Sequence, residues 1–254
     1  MNMLRADYIL KLLEKNERID GRKLDEFRKI EIERNIIEKA EGSARVRIGK
    51  TDVIAGIKME IETPFPDTPN EGVLKTHAEF APIAHPDFLP GPPSEDATEL
   101  ARVVDRGIRE SNSIELEKLC ILEGQKVWGV FIDIHIINHD GNLIDASSLA
   151  ALLALMNTKI PKYENDKIVR GEYIAKLPLS HYPINVTVSK IMNKYLVDLN
   201  REEEDVVDAW LSIAVREDNY LCSMQKGGKG LNIKDVDEMI DLAIKKSKEL
   251  RKLL

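Results

Sequence analysis

The 254-residue chain holds only two cysteines, Cys120 and Cys222, far apart and outside any CxxC or CxxH spacing. That excludes a disulfide framework and a cysteine-based zinc site, and it reads as two free thiols in a reducing cytoplasm. No run approaches the ~20 apolar residues a bilayer requires, so no membrane contact is expected. Residues 1–20 alternate charges with Leu and Ile and lack the apolar stretch of a secretory signal, so the expected location is cytoplasmic. A basic excess is missing too: Lys plus Arg number 37 against 44 Asp plus Glu, a formal net charge of −7. A free-standing, nonspecific nucleic-acid binder usually carries the opposite sign. What is there suffices for a packed core: 43% of residues are hydrophobic, which excludes a disordered or collagen-like chain.

Periodicity places the elements. Tyr8, Ile9, Leu12 and Leu13 predict a helix over residues 4–15, and Arg18-Ile-Asp-Gly-Arg22 follows as a turn. Residues 29–37, 43–48 and 53–61 read as strands, the last two joined as a hairpin around Gly49-Lys50-Thr51-Asp52. Residues 63–94 hold most of the eleven prolines and are expected to be largely irregular. A segment this long is usually used in contacts. Ser94 reads as the N-cap of a helix whose buried face is Ala97, Leu100, Ala101, Val104 and Ile108. Residues 127–138 read as a long strand, 146–156 as a buried helix ended by Pro161, and 184–190, 194–199, 211–215 and 220–225 as further strands. Residues 201–205 read as an acidic turn, and a last helix covers 236–254. The order implies an α+β fold in two lobes, with a boundary near residues 178–183.

Several groups invite a chemical reading. Asp133 and His135 share a strand face with His139 nearby in a turn, but that spacing is common by chance, and no metal site is expected. Ser147 and Ser148 lack a GxSxG elbow and read as small residues that let a helix approach a sheet. Lys226-Gly-Gly-Lys-Gly230 is not a P-loop and reads as a hairpin turn, while the acidic run Glu202 to Asp205 with Asp208 reads as a solvated turn. Arg102, Arg106 and Arg109 form one stripe on the helix after Ser94. Four helical residues rise ~6 Å, so the stripe suits successive phosphates of a single strand. The competing reading is an ion-paired surface with Glu99, Asp105 and Glu110.

Taken in order, five motifs resemble the RNase PH family: Arg18-Ile-Asp-Gly-Arg22 with Glu26-Phe-Arg28-Lys-Ile30, Gly42-Ser-Ala, Gly49-Lys-Thr51-Asp-Val53, Asp140-Gly141-Asn142, and Val197-Asp-Leu-Asn200. The likeness spans residue 18 to the last helix. Within the family it is strongest to the non-catalytic ring subunits of the archaeal exosome, through Arg102 to Arg109 and Val127 to Ala146. The resemblance implies a ribosomal protein S5 domain 2-like main lobe over residues 26–180, a smaller C-terminal α/β lobe over 181–254, and an N-terminal helix and arm over 1–25. It implies no cofactor, and a hexameric ring shared with a catalytic RNase PH-like subunit, topped by RNA-binding cap proteins, with single-stranded RNA threading the centre. Active members degrade RNA from its 3′ end with inorganic phosphate.

The departures from that pattern shape the functional expectation. Active members carry Gly-Ser/Thr-Arg where this chain reads Gly141-Asn142-Leu143, and leucine cannot bind an oxyanion. Their aspartate near the scissile phosphate aligns with Trp210, an indole with no acid to offer. The arginines survive: the resemblance implies that Arg102 and Arg106 contact RNA near a neighbour's active site, with Arg109 on the same stripe. The expectation is a non-catalytic subunit in 3′-to-5′ RNA degradation with no catalytic residue of its own. The alternatives are a phosphorolytic exoribonuclease active alone through Glu204 or Asp208, and an S5-like small-molecule enzyme, which the absent ATP loop disfavours.

Overall fold

The computed structural model describes residues 3–254. Helix α1 (Met3–Glu14) buries Ile9 and Leu13. Strands β1 (Ile30–Arg34), β2 (Gly42–Ile48) and β3 (Thr51–Glu62) then pair antiparallel in chain order. Ile48 lies opposite Thr51, so Gly49 and Lys50 alone form the hairpin loop.

The proline-rich segment is irregular over most of its length, as expected, with one strand that the sequence reading did not place. Strand β4 (Val73–Phe80) runs through its middle, and every proline of the segment falls outside the strand. A ladder needs backbone N–H donors that proline lacks, so the strand occupies the proline-free stretch. Helix α2 (Glu95–Glu110) follows, with Ser94 Oγ accepting from Ala97 N at 3.1 Å. After the short β5 (Cys120–Leu122) comes β6 (Lys126–Asn138), which buries Val130, Ile132, Ile134 and Ile136 on one face. The large sheet has the order β1-β2-β3-β6-β4, with β5 alongside β6 and β4 parallel to β6.

Helix α3 (Leu143–Asn157) is buried nearly all round, because it packs on β2 and β3, on α2, and on the second sheet. Its small residues permit those approaches, as the sequence suggested. Pro161 does not end the unit. It lies in β7 (Lys159–Glu164), which pairs with β8 (Lys167–Lys176) as a ribbon that the sequence pattern does not announce. The register slips on both sides of Pro161, so its missing donor falls at a bulge.

The second sheet is antiparallel, in the order β10-β9-β11-β12, from β9 (Ile184–Ile191), β10 (Lys194–Val197), β11 (Ala209–Val215) and β12 (Leu221–Gly228). The acidic stretch between β10 and β11 is a one-turn helix, α4 (Arg201–Glu204), opened by a capping box between Asn200 and Glu203. Helix α5 (Ile233–Leu250) covers β9 and β11. One continuous apolar core runs through both sheets by way of α3, so the two lobes are packed together rather than tethered.

Candidate functional site

The functional region is built around the start of α3. Strand β6 ends in the turn His139-Asp140-Gly141-Asn142. Gly141 has φ +85°, and a Cβ there would collide with the Leu199 carbonyl oxygen, so only glycine lets the turn approach the chain after β10. Asn142 is also left-handed, at φ 56°. Its side chain does not cap α3; Nδ2 donates instead to Asp198 Oδ1 at 2.9 Å.

Three arginines ahead of β1, Arg18, Arg22 and Arg28, hold this junction together. Arg28 donates to both Asp198 oxygens, with Nη2 to Oδ1 at 2.7 Å, and to the carbonyls of Asp140 and Leu199. Arg22 adds a bond to Asp198 at 3.0 Å. Thr51 Oγ1 donates to the Gly141 carbonyl at 2.6 Å. Burial alone would raise the Asp198 carboxyl, but the hydrogen bonds and charge of Arg28 prevail and hold it below the usual carboxylate range. Arg18 grips Glu203 in an ion pair whose side chains are both 0% exposed, and its remaining donors reach the Val197 and Asp198 carbonyls. Four of the five sequence motifs therefore meet at one point. Gly42-Ser-Ala lies elsewhere, against Thr158.

The acidic stretch is not a solvated turn. Glu203 is locked to Arg18, and Glu204 reaches the start of α3, where its Oε1 accepts from Asn142 N at 2.7 Å. Burial pushes the Glu204 carboxyl up to about 7, against the pull of that bond and of Arg201 and Arg28. Beside it opens a cleft of about 850 Å³. Leu143, Phe80, Phe88, Val207 and Trp210 give it apolar walls. His139 stacks on Phe88 with ring centroids 5.6 Å apart, and burial followed by the charge of Arg201 lowers it to about 4. Arg201 is the one Lys or Arg among the described lining residues, against the carboxylates of Glu79, Asp87, Asp96, Glu99 and Glu204. Trp210 faces this cleft with its ring over Gly227, where a Cβ would strike the indole. The glycine run that followed no P-loop pattern thus makes room for the tryptophan. Asp208 points away from such a role: Lys229 Nζ bonds it at 2.7 Å and Met192 N at 2.6 Å.

The arginine stripe lies on the open face of α2. Arg102, Arg106 and Arg109 are all exposed. Of the acids expected to neutralise them, only Asp105 does so, and only for Arg109: Arg109 Nε bonds Asp105 at 2.9 Å, while Thr76 Oγ1 also donates to that carboxylate. Arg106 donates to the neutral Gln225 Oε1 at 2.9 Å, and Gln225 in turn donates to Glu99. Among the described residues Arg102 has no hydrogen-bond or ion-pair partner. Arg102 and Arg106 frame a shallow depression of about 270 Å³ with Thr76, Ala101 and Asp105. Two guanidinium groups are therefore left with spare donors, side by side on a rigid helix.

The remaining candidates do not assemble into a site. His135 pairs with Glu79 at 3.4 Å while His139 faces the cleft, and no group of three metal-ligating side chains occurs among the described residues. Sequence reasoning missed the Arg18–Glu203 pair and the seat of Glu204. The capping-box spacing from Asn200 to Glu203 was the signal that could have replaced a turn with a helix start.

Comparison with known proteins agrees with this architecture. Residues 26–161 match domain 1 of the 3′ exoribonuclease family and residues 181–246 match its domain 2. The chain is 52% identical, over 98% of its length and 95% of the relative's, to a protein of Archaeoglobus fulgidus named exosome complex component Rrp42. A Thermococcus gammatolerans protein of the same name is 51% identical over 98% of this chain and 93% of its own. Among solved structures, one described as the Archaeoglobus fulgidus exosome with RNA bound to the active site has a chain that superposes with a TM-score of 0.92 at 52% identity, covering 98% of this chain and 97% of its own. Another, described as an archaeal exosome core, gives 0.88 at 49% identity over 98% and 95%. The chain belongs to the 3′ exoribonuclease family, the RNase PH family that its motifs resemble.

Proposed function

We propose that this chain is a non-catalytic ring subunit of an exosome, which offers RNA the Arg102 and Arg106 face while a catalytic RNase PH-like partner performs phosphorolysis. The names of its relatives support an exosome subunit acting in RNA degradation within a ring. The observation that carries the silent role is the start of α3. Leu143, which the family resemblance aligns with a phosphate-binding arginine, lines the cleft there, and the N–H of Asn142 is already taken by the Glu204 carboxyl group. A cleft lined by five carboxylates and one arginine repels the anionic substrates of such a reaction. The RNA-facing role rests on two exposed arginines that lack acidic partners, with Arg109 as a weaker third contact because Asp105 engages it.

In this reading the ring is a hetero-hexamer that receives single-stranded RNA from cap proteins. Its units are an N-terminal arm over residues 1–25, a main lobe over 26–180 and a C-terminal lobe over 181–254. Two free, partly buried thiols fit a reducing cytoplasm. The test is phosphate-dependent shortening of an RNA by the chain alone, by the catalytic relative alone, and by the two together. The expected result is no nucleoside diphosphate from this chain alone and robust release from the assembly. Release by the lone chain overturns the proposal.

A further inference from the structure

We propose that Glu204 is a built-in occupant of the oxyanion position at the start of α3, and that its carboxylate, more than the missing arginine, keeps phosphate-like anions out of the cleft. The inference rests on the non-catalytic reading and supplies its physical cause.

A helix N-terminus with uncapped N–H groups, flanked by guanidinium groups, attracts an anion. Helix α3 is 15 residues long and has no side-chain cap, since Asn142 turns its amide to Asp198. Arg28 and Arg201 both act on this position by charge. The position therefore has the makings of an oxyanion site, and a carboxyl oxygen is in it: Glu204 Oε1, 2.7 Å from Asn142 N, on a group that is ionised above about pH 7. That carboxylate did not arrive by chance rotation of a long side chain. It is carried on α4, whose start is fixed by the Asn200–Glu203 capping box and whose third residue is anchored by the fully buried pair with Arg18. An incoming phosphate would have to expel a tethered carboxylate present at very high effective concentration, or share the position with a like charge. The lowered His139 beside it is neutral at physiological pH and offers no compensating charge. An arginine introduced at position 143 would therefore first be neutralised by Glu204 before it could bind an external anion.

The experiment titrates inorganic phosphate into the purified full chain by calorimetry at about pH 8, where Glu204 is ionised, using the unaltered protein, Leu143→Arg, Glu204→Ser and the double variant. Glu204→Gln, which keeps the shape and loses the charge, stands in if the serine variant does not fold. The unaltered chain and Leu143→Arg should show no saturable binding. Removal of Glu204 should produce it, and the double variant should bind at least about tenfold tighter than Glu204→Ser. Saturable binding by the unaltered chain, or a Leu143→Arg variant as strong as the double, overturns the inference. So does a folded Glu204 variant that gains no phosphate affinity. That last outcome leaves the non-catalytic reading standing, whereas RNA shortening by the lone chain removes the reading itself.

Discussion

Helix α2 puts Asp96 and Glu99 on the cleft and, further along, Arg102 and Arg106 on an open face. The split comes from helical spacing, which turns successive residues to different faces; of these four only Asp96 lies in a terminal turn, where the macrodipole acts. Its consequence is a separation of tasks within one rigid element. In the proposed reading the acidic, aromatic-walled cleft excludes anions, while a few residues further on two guanidinium groups keep spare donors. A net charge of −7 is compatible with contact to RNA because the charges are sorted in space, not averaged over the surface.

The largest way to break this contrast is through the arm that fixes α4. Arg18→Ala leaves the buried Glu203 without its ionic partner and with only the capping bond from Asn200 N, so a loss of about 3–5 kcal/mol is expected in urea unfolding. Glu204 should also loosen from Asn142. A loss below about 1 kcal/mol would be that of an exposed ion pair and would sink the role given to this clamp.

Next comes the pH response of the cleft's supporting layer. Asp145 is buried under the cleft with Thr187 donating to both its oxygens, and burial pushes its carboxyl up to about 7. The raised value fixes the sign. Below the unfolded value of 3.8 both states hold the proton and the contribution is complete. As pH rises towards about 7 only the unfolded chain releases it, so stability falls by up to about 1.4 kcal/mol per pH unit. Glu204 acts in the same direction. His139 opposes them between about 4 and 6.5, because the folded chain resists its protonation there. Asp145→Asn should flatten the fall in urea midpoint between about pH 5 and 7. An unaltered slope in that variant would assign the response to other groups.

Much of this arrangement was legible in the sequence, for identifiable reasons. Alternation in Val130 to Ile136 and the stripe from Ala97 to Ile108 report burial directly, and both elements form as read. The arginine stripe was legible because helical spacing alone decides which residues share a face. Strand β4 was obscured by the prolines on either side of it, and the β7–β8 ribbon by Pro161 at a bulge. The seats of Glu203 and Glu204 were hidden for a different reason. Their partners, Arg18 and Asn142, are 185 and 62 residues away, and a run of four acids looks solvated until a long-range partner is known.

The arginine face yields a smaller effect than the clamp. In the assembled ring, Arg102→Ala with Arg106→Ala should weaken RNA binding on the order of tenfold. The dependence of affinity on salt should fall by about 0.7 for each phosphate of the single strand that is no longer neutralised. Arg109→Ala should do less, because Asp105 and the Leu74 carbonyl already occupy its donors. Equal affinity and salt slope in the double variant would return these arginines to a plain surface role.

The smallest effect sharpens the contrast instead of breaking it. Ser94 caps α2 at the cleft end, where its Oγ accepts from Ala97 N. Ser94→Ala should cost about 1 kcal/mol of stability in urea unfolding, and Ser94→Asp should restore most of it by offering another acceptor. Beyond the first turn α2 is held by its packing on β4 and β12, and Gln225 bridges Arg106 and Glu99. Loss of the cap should therefore fray the first turn and shift Asp96, while Glu99 and Arg106 stay on Gln225 and the salt slope of RNA binding stays as it was. If Ser94→Ala lowered that slope as the arginine pair does, the first turn and the arginine face of α2 would be coupled, and the separation of acidic cleft from basic face would have to be abandoned.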